Sequence, residues 1–179
     1  MSILGPVKPY FTFAAQMRNS VPIMAYHCKL YAVQTGLGLT KNAPADTGAA
    51  AKKYLMDELA DLETMKSAMG DTKKEDFVFH VENFVLSVFA QTDKEERTCE
   101  TVTKKIAIDF KRCADFIKVL TVFAPLDEDW AKRHKYCLYK AGSINKALKN
   151  GETPERGNPC DPEDNKPVEK PFDLEETKE

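Results

Sequence analysis

His134 and Cys137 stand three residues apart, a spacing that places two metal-binding side chains on one side of a helix, where they could hold one edge of a metal site. No second pair of metal-binding residues stands at a comparable spacing, so a core histidine beside a core cysteine accounts for both. His27 and Cys28 are adjacent and diverge on a helix, which makes them a poorer pair. Asp127, Glu128 and Asp129 could imitate a carboxylate cluster, but acids at a helix start answer the positive end of the helix dipole. There is no phosphate-binding glycine loop, no strand to carry a nucleophile elbow and no metal signature of fixed spacing. The sequence makes no case for an enzyme, a cofactor or a metal.

Two outward faces carry residues suited to recognition. On a helix ending near Asn150, Tyr139 sits about 180° from the centre of the apolar stripe at ~100° per residue, flanked by Lys132, Lys135 and Lys146. Tyr136 is counted with this surface. An aromatic anchor inside a lysine rim suits an acidic amphipathic peptide; the competing reading is a solvated lysine face with one stray Tyr. On the third helix, Met56 lies about 100° off the Leu55, Leu59 and Leu62 stripe, beside Ala60 and Glu63. Asp57, Glu58, Asp61 and Glu63 make that helix acidic and able to receive an apolar helix carrying Arg or Lys, or else Met56 only widens the core stripe.

The elements that must position these faces read as helices throughout. The chain has 179 residues, 42% of them hydrophobic, enough for one ordinary domain or two small bundles. A short helix is expected from Val7 to about Asn19, and a second from Ile23 to Leu37, ended by Gly36 and Gly38. A third runs from Ala49 to Met69, closed by Gly70, and a fourth from about Glu75 to Gln91. Lys94 to Ala124 is expected to be one central helix of roughly 40 Å, capped by Asp93 and stopped by Pro125. Its stripe is Val102, Ile106, Phe110, Cys113, Ile117 and Leu120, and a second set of Ile108, Val119 and Val122 calls for cover from another direction. The last helix, Asp127 to Asn150, turns Trp130, His134, Cys137, Ala141, Ile144 and Leu148 inward, and Gly151 ends it. No strand-like alternation competes, so the fold class is all-α, with three helices by residue 70 and three more between 75 and 150.

Composition narrows the partners. Residues 1–150 hold 22 Lys and Arg against 18 acids, and residues 151–179 hold 4 against 10, giving a mildly basic body and an acidic tail. A net +4 on such a body, with no aromatic and basic RNA-binding motif, argues against nucleic acid. Five scattered cysteines, Cys28, Cys99, Cys113, Cys137 and Cys160, do not form a disulfide framework, and the reading is a reduced, intracellular chain. No signal peptide or membrane span is expected, since Lys118 breaks the best apolar run. From Glu152 onward, five prolines and ten acids in 28 residues read as a disordered acidic segment or a linker.

The segments PIMAYHCKLYAVQTG (Pro22 to Gly36), YLMDELADLE (Tyr54 to Glu63), HVENFVLSVFAQTDKEER (His80 to Arg97), FIKVLTVF (Phe116 to Phe123) and KYCLYKAGSINKALKNGETP (Lys135 to Pro154) resemble, in order, the amino-terminal region of the Vta and LYST-interacting protein family, cofactors of the ESCRT machinery. The similarity covers nearly all of residues 8–154, and the KNGETP ending is its most specific part. The resemblance implies two MIT (microtubule interacting and trafficking) modules, each a three-helix bundle, packed as one unit: residues 1–74, then 75–151, with 152–179 as the start of a disordered acidic linker. It implies that the first module receives carboxy-terminal helical motifs of ESCRT-III subunits at Met56, Asp57, Ala60, Asp61 and Glu63. The second would bind a Vps60-like subunit at Tyr139, Lys132, Lys135, Lys146 and Tyr136. In the family a separate carboxy-terminal domain, which these 179 residues do not match, engages the AAA ATPase that disassembles ESCRT-III. Tyr139 stands where family members often have Trp, and Thr98 and Cys99 stand where an Ala and Gly pair is common. The resulting expectation is a non-enzymatic cytoplasmic adaptor recruited to endosomal membrane only through partners. The alternative is a helical oligomerisation or peripheral membrane-surface module using the lysine face.

Overall fold

The computed structural model describes residues 3–158, and among these every regular element is helical. A turn of 3-10 helix at Gly5–Val7 leads into α1 (Lys8–Met17), followed by α2 (Pro22–Thr40), α3 (Ala45–Ala68), α4 (Lys74–Thr98), α5 (Lys104–Val119) and α6 (Glu128–Lys149). The all-α expectation stands. α2 packs between α1 and α3, α5 packs between α4 and α6, and α2 also touches α4 and α5. One apolar core runs through both groups, from Val7, Tyr10, Met24 and Cys28 to Val81, Val85, Phe110, Ile117, Cys137 and Ile144. A smaller cluster of Val33, Leu55 and Leu62 joins α2 to α3. Aromatic contacts stitch the groups: Phe13 of α1 meets Phe116 of α5 at 5.0 Å, and His27 of α2 lies 5.2 Å from Phe77 and 4.8 Å from Phe123.

Six sequence expectations are corrected. The long helix from Lys94 to Ala124 is two elements: α4 continues past Gln91 to Thr98, and an extended break at Cys99–Thr103 precedes α5. Thr98, Cys99, Thr101, Val102 and Thr103 are all weak helix formers. Two carbonyls around the break, those of Glu96 and Glu100, accept from the Arg156 guanidinium at 3.0 and 2.9 Å, a partner 56 to 60 residues away. Asp93 therefore caps nothing; it lies inside α4, where Arg97 donates to it at 3.0 Å. The stripe from Val102 to Leu120 is buried as expected, but Ile108 is 52% exposed, so the second side of α5 is covered only towards Val119.

Gly36 and Gly38 do not end α2, which runs through both to Thr40. Gly36 is instead a contact point: a Cβ there would lie 2.9 Å from Leu55 Cδ2, so its absence lets α3 approach α2 closely. Leu148, expected inward, is 38% exposed near the end of α6. The acidic segment is not structureless from its start, because Glu152–Asn158 fold back onto α4 and α6 and bury Pro154 and Gly157. Residues 159–179, the rest of that expectation, lie outside the described residues.

Candidate docking faces

On α3, Met56, Ala60 and Glu63 recur at intervals of four and three residues and share one outward side. Met56 is 51% exposed, and Asp57, Ala60 and Glu63 are exposed around it. The opposite side of α3 is fixed by Leu55, Leu62 and Met65 in the core. Asp61 is differently engaged: it accepts from Arg18, just past the end of α1, at 2.7 and 2.8 Å and from Lys29 of α2 at 2.5 Å. Lys29 also reaches Glu58 at 2.6 Å. The Arg18 and Lys29 hydrogen bonds hold the Asp61 carboxyl well below the usual carboxylate range, so it stays ionised inside a tie between three helices.

On the other flank of α3, across the buried Leu55 from Met56, sequence reasoning missed an open apolar recess of about 620 Å³ towards α1, lined by Leu4, Lys8, Phe11, Thr12, Ala15 and Tyr54. Tyr54 is 44% exposed and meets the Phe11 ring edge-on at 5.5 Å. Its signal was a bulky aromatic preceding Leu55, off the α3 stripe.

On α6, the Asp127 carboxylate accepts the Trp130 backbone N–H at 2.8 Å and starts the helix, and Trp130, Cys137 and Ile144 bury one side. Tyr139 is 51% exposed on the far side, with Lys132, Lys135 and Lys146 exposed around it. Lys132 reaches Glu128 at 2.9 Å on the solvent side. Tyr136 behaves differently: its hydroxyl donates to Asp93 at 2.8 Å and its ring packs edge-on against Phe89 and Phe110, so it is a strut between α6, α4 and α5. Burial and Asp93 both push its phenol pKa far upward. A recess of about 290 Å³ opens beside it, lined by Phe89, Asp93, Arg97, Lys132, Arg133, Tyr136 and Asn158. Sequence reasoning also missed the exposed Ile108 and Leu138, since each reads as one more apolar residue on a mostly buried helix.

His134 and Cys137, the pair weighed as a metal edge, part ways. Cys137 is buried and shares a hydrogen bond with the buried Cys113, while His134 is partly exposed and faces Lys118, Asp115 and Lys111. Among the described residues no three His, Cys, Asp or Glu side chains gather to hold a metal ion, and no helix is long and apolar enough to cross a membrane.

Several known proteins are similar to this chain in sequence. An Arabidopsis thaliana protein named as a homolog of mammalian LYST-interacting protein 5 is 35% identical over 155 residues, covering 86% of this chain and 35% of that protein. Two proteins named vacuolar protein sorting-associated protein VTA1 homolog match as well. The Bos taurus protein is 35% identical, over 97% of this chain and 58% of its own length; the Mus musculus protein is 34% identical, over 86% and 48%. The chain thus spans from about a third to under three fifths of the length of these relatives. The family model described as Vta1 like matches residues 6–150, the whole helical body from the first turn to the end of α6, and this chain belongs to that family.

Proposed function

We infer that this chain is a non-enzymatic adaptor of vacuolar and endosomal sorting. Its α1–α3 and α4–α6 groups act as tandem MIT modules, each docking the carboxy-terminal helical segment of an ESCRT-III subunit. The α3 face around Met56, with Asp57 and Glu63, receives a cationic amphipathic helix; the α6 face around Tyr139, with Lys132, Lys135 and Lys146, receives a more acidic segment of a Vps60-like subunit. Through the longer protein typical of its relatives, the same chain links these subunits to the ATPase that disassembles them. It works on the cytoplasmic side and reaches endosomal membrane through its partners. The observation that carries the reading is that Met56 and Tyr139 stand half exposed on separate helices with unlike surrounds, Met56 among the exposed Lys52, Lys53, Asp57 and Glu63 and Tyr139 among Lys132, Lys135 and Lys146. The sorting-associated names of the relatives support the pathway.

The test is a chemical-shift titration with synthetic ESCRT-III carboxy-terminal peptides, repeated on two variants. Met56→Asp should weaken the α3 ligand about tenfold or more, equivalent to about 1.4 kcal/mol, and leave the α6 ligand unchanged. Tyr139→Asp should do the converse. Equal loss of both ligands from either change would count against two docking faces. Binding to anionic vesicles that needs no peptide and collapses with modest salt would favour a membrane-surface module instead.

A further inference from the structure

Lys140 and Glu96 form the most deeply buried ion pair among the described residues, with Nζ and Oε1 2.5 Å apart and side chains 2% and 0% exposed. An ammonium has three donors, and all three are used here: besides Glu96, Lys140 donates to the carbonyls of Glu155 at 2.9 Å and Gly157 at 3.0 Å. The Gly157 N–H in turn donates to both Glu96 oxygens, at 3.2 and 3.0 Å. Gly157 has φ +71°, a conformation that only glycine adopts without strain. Next to it, Arg156 donates to the Glu96 and Glu100 carbonyls where α4 ends.

The segment after α6 is therefore part of the ion pair's coordination. Remove it, and Lys140 keeps one acceptor of three while Glu96 loses its amide donor, both in a dry site. Under-satisfied buried charges cost far more than exposed ones, so water must enter where α4 meets α6. We propose that Glu152–Asn158 is a releasable clasp. Seated, it closes the α4 and α6 packing around Glu96 and Lys140; released, it opens that packing. The site it controls is the recess beside Tyr136, which lies one turn before Lys140 on the same side of α6 and whose rim includes Asn158. Whatever acts on the chain beyond Asn158 is thereby coupled to that recess.

Hydrogen exchange followed by mass spectrometry on the 179-residue chain tests this. In Gly157→Ala the strained residue should loosen the clasp, speeding amide exchange about tenfold or more at 92–99 and 136–143 and leaving α2 unchanged. A second background, Glu96→Leu with Lys140→Met, removes the charges that need the clasp. There, Gly157→Ala should free the amides of 155–157 without further loss of protection in α4 or α6. Two results would overturn the clasp. One is faster exchange confined to 152–158, which makes the segment a passive strap. The other is an equal acceleration of α4 and α6 in both backgrounds, which makes Gly157 a packing residue independent of the ion pair.

Discussion

His27 shows how one side chain carries a solution property of the whole chain. It is 2% exposed, and its Nδ1 must carry the proton, because it lies 2.7 Å from the Ile23 carbonyl, which can only accept. Burial lowers its pKa below the ordinary histidine value, against a smaller opposing effect of that hydrogen bond. The unfolded chain, titrating near ~6.5, takes up a proton over a range in which the folded chain does not. Stability therefore holds above that value and declines as pH falls through it towards the lower folded value. Thermal melts of the parent at pH 7.5 and 5.5 should show a loss at the lower pH that shrinks in His27→Gln; an unchanged loss would move the effect to other groups, with the partly buried His134 the next to test. Legibility differs sharply at this scale. Met56 and Tyr139 were readable as outward because each falls off a regular apolar stripe. Asp61 and Tyr136 were named for the same surfaces, yet their ties to Arg18, Lys29 and Asp93 span 32 to 43 residues and leave no periodic trace.

At the scale of elements, the pattern of apolar residues located all six helices but misplaced some of their ends. Helix ends depend on what supports the free carbonyls, and for α4 that support is Arg156, beyond the last helix. The two glycines of α2 make the same point. Both read as stops, yet each sits in helical backbone where tertiary packing decides its role. Gly38 is exposed, with nothing within 4 Å of a Cβ, so Gly38→Ala should stabilise by up to about 0.5–1 kcal/mol through helix propensity. Gly36 faces the fully buried Leu55, and Gly36→Val should destabilise by about 1–3 kcal/mol by forcing α3 away. Denaturant midpoints measure both, and opposite signs are the expected outcome.

For the molecule as a whole, the continuous core predicts that the two helix groups melt together. Phe116, 4% exposed, meets Phe13 at 5.0 Å and Phe84 at 5.6 Å, so Phe116→Ala should cost about 3–5 kcal/mol. The single Trp, Trp130, reports on α6, and circular dichroism reports on every helix. The two signals should give coincident transitions in parent and variant, and separated transitions would mean independent folding units. Six helical segments were legible in the sequence, three before residue 70 and three after it, most of them from an apolar stripe of their own. How α2 shares its surfaces with both sets was not legible, since apolar residues around most of a helix say that it is buried without saying by what.

The Arg18, Lys29, Glu58 and Asp61 cluster has a further consequence for long-range attraction. Tallying acids from Asp57 to Glu63 gives four, but Glu58 and Asp61 are already neutralised by Arg18 and Lys29. An approaching cationic helix is drawn by Asp57 and Glu63 and opposed by the exposed Lys52 and Lys53 one turn before Met56, so ionic strength should change its encounter rate only gently. Grip at Met56 then rests more on dehydrating thioether and methyl surface than on counterion exchange.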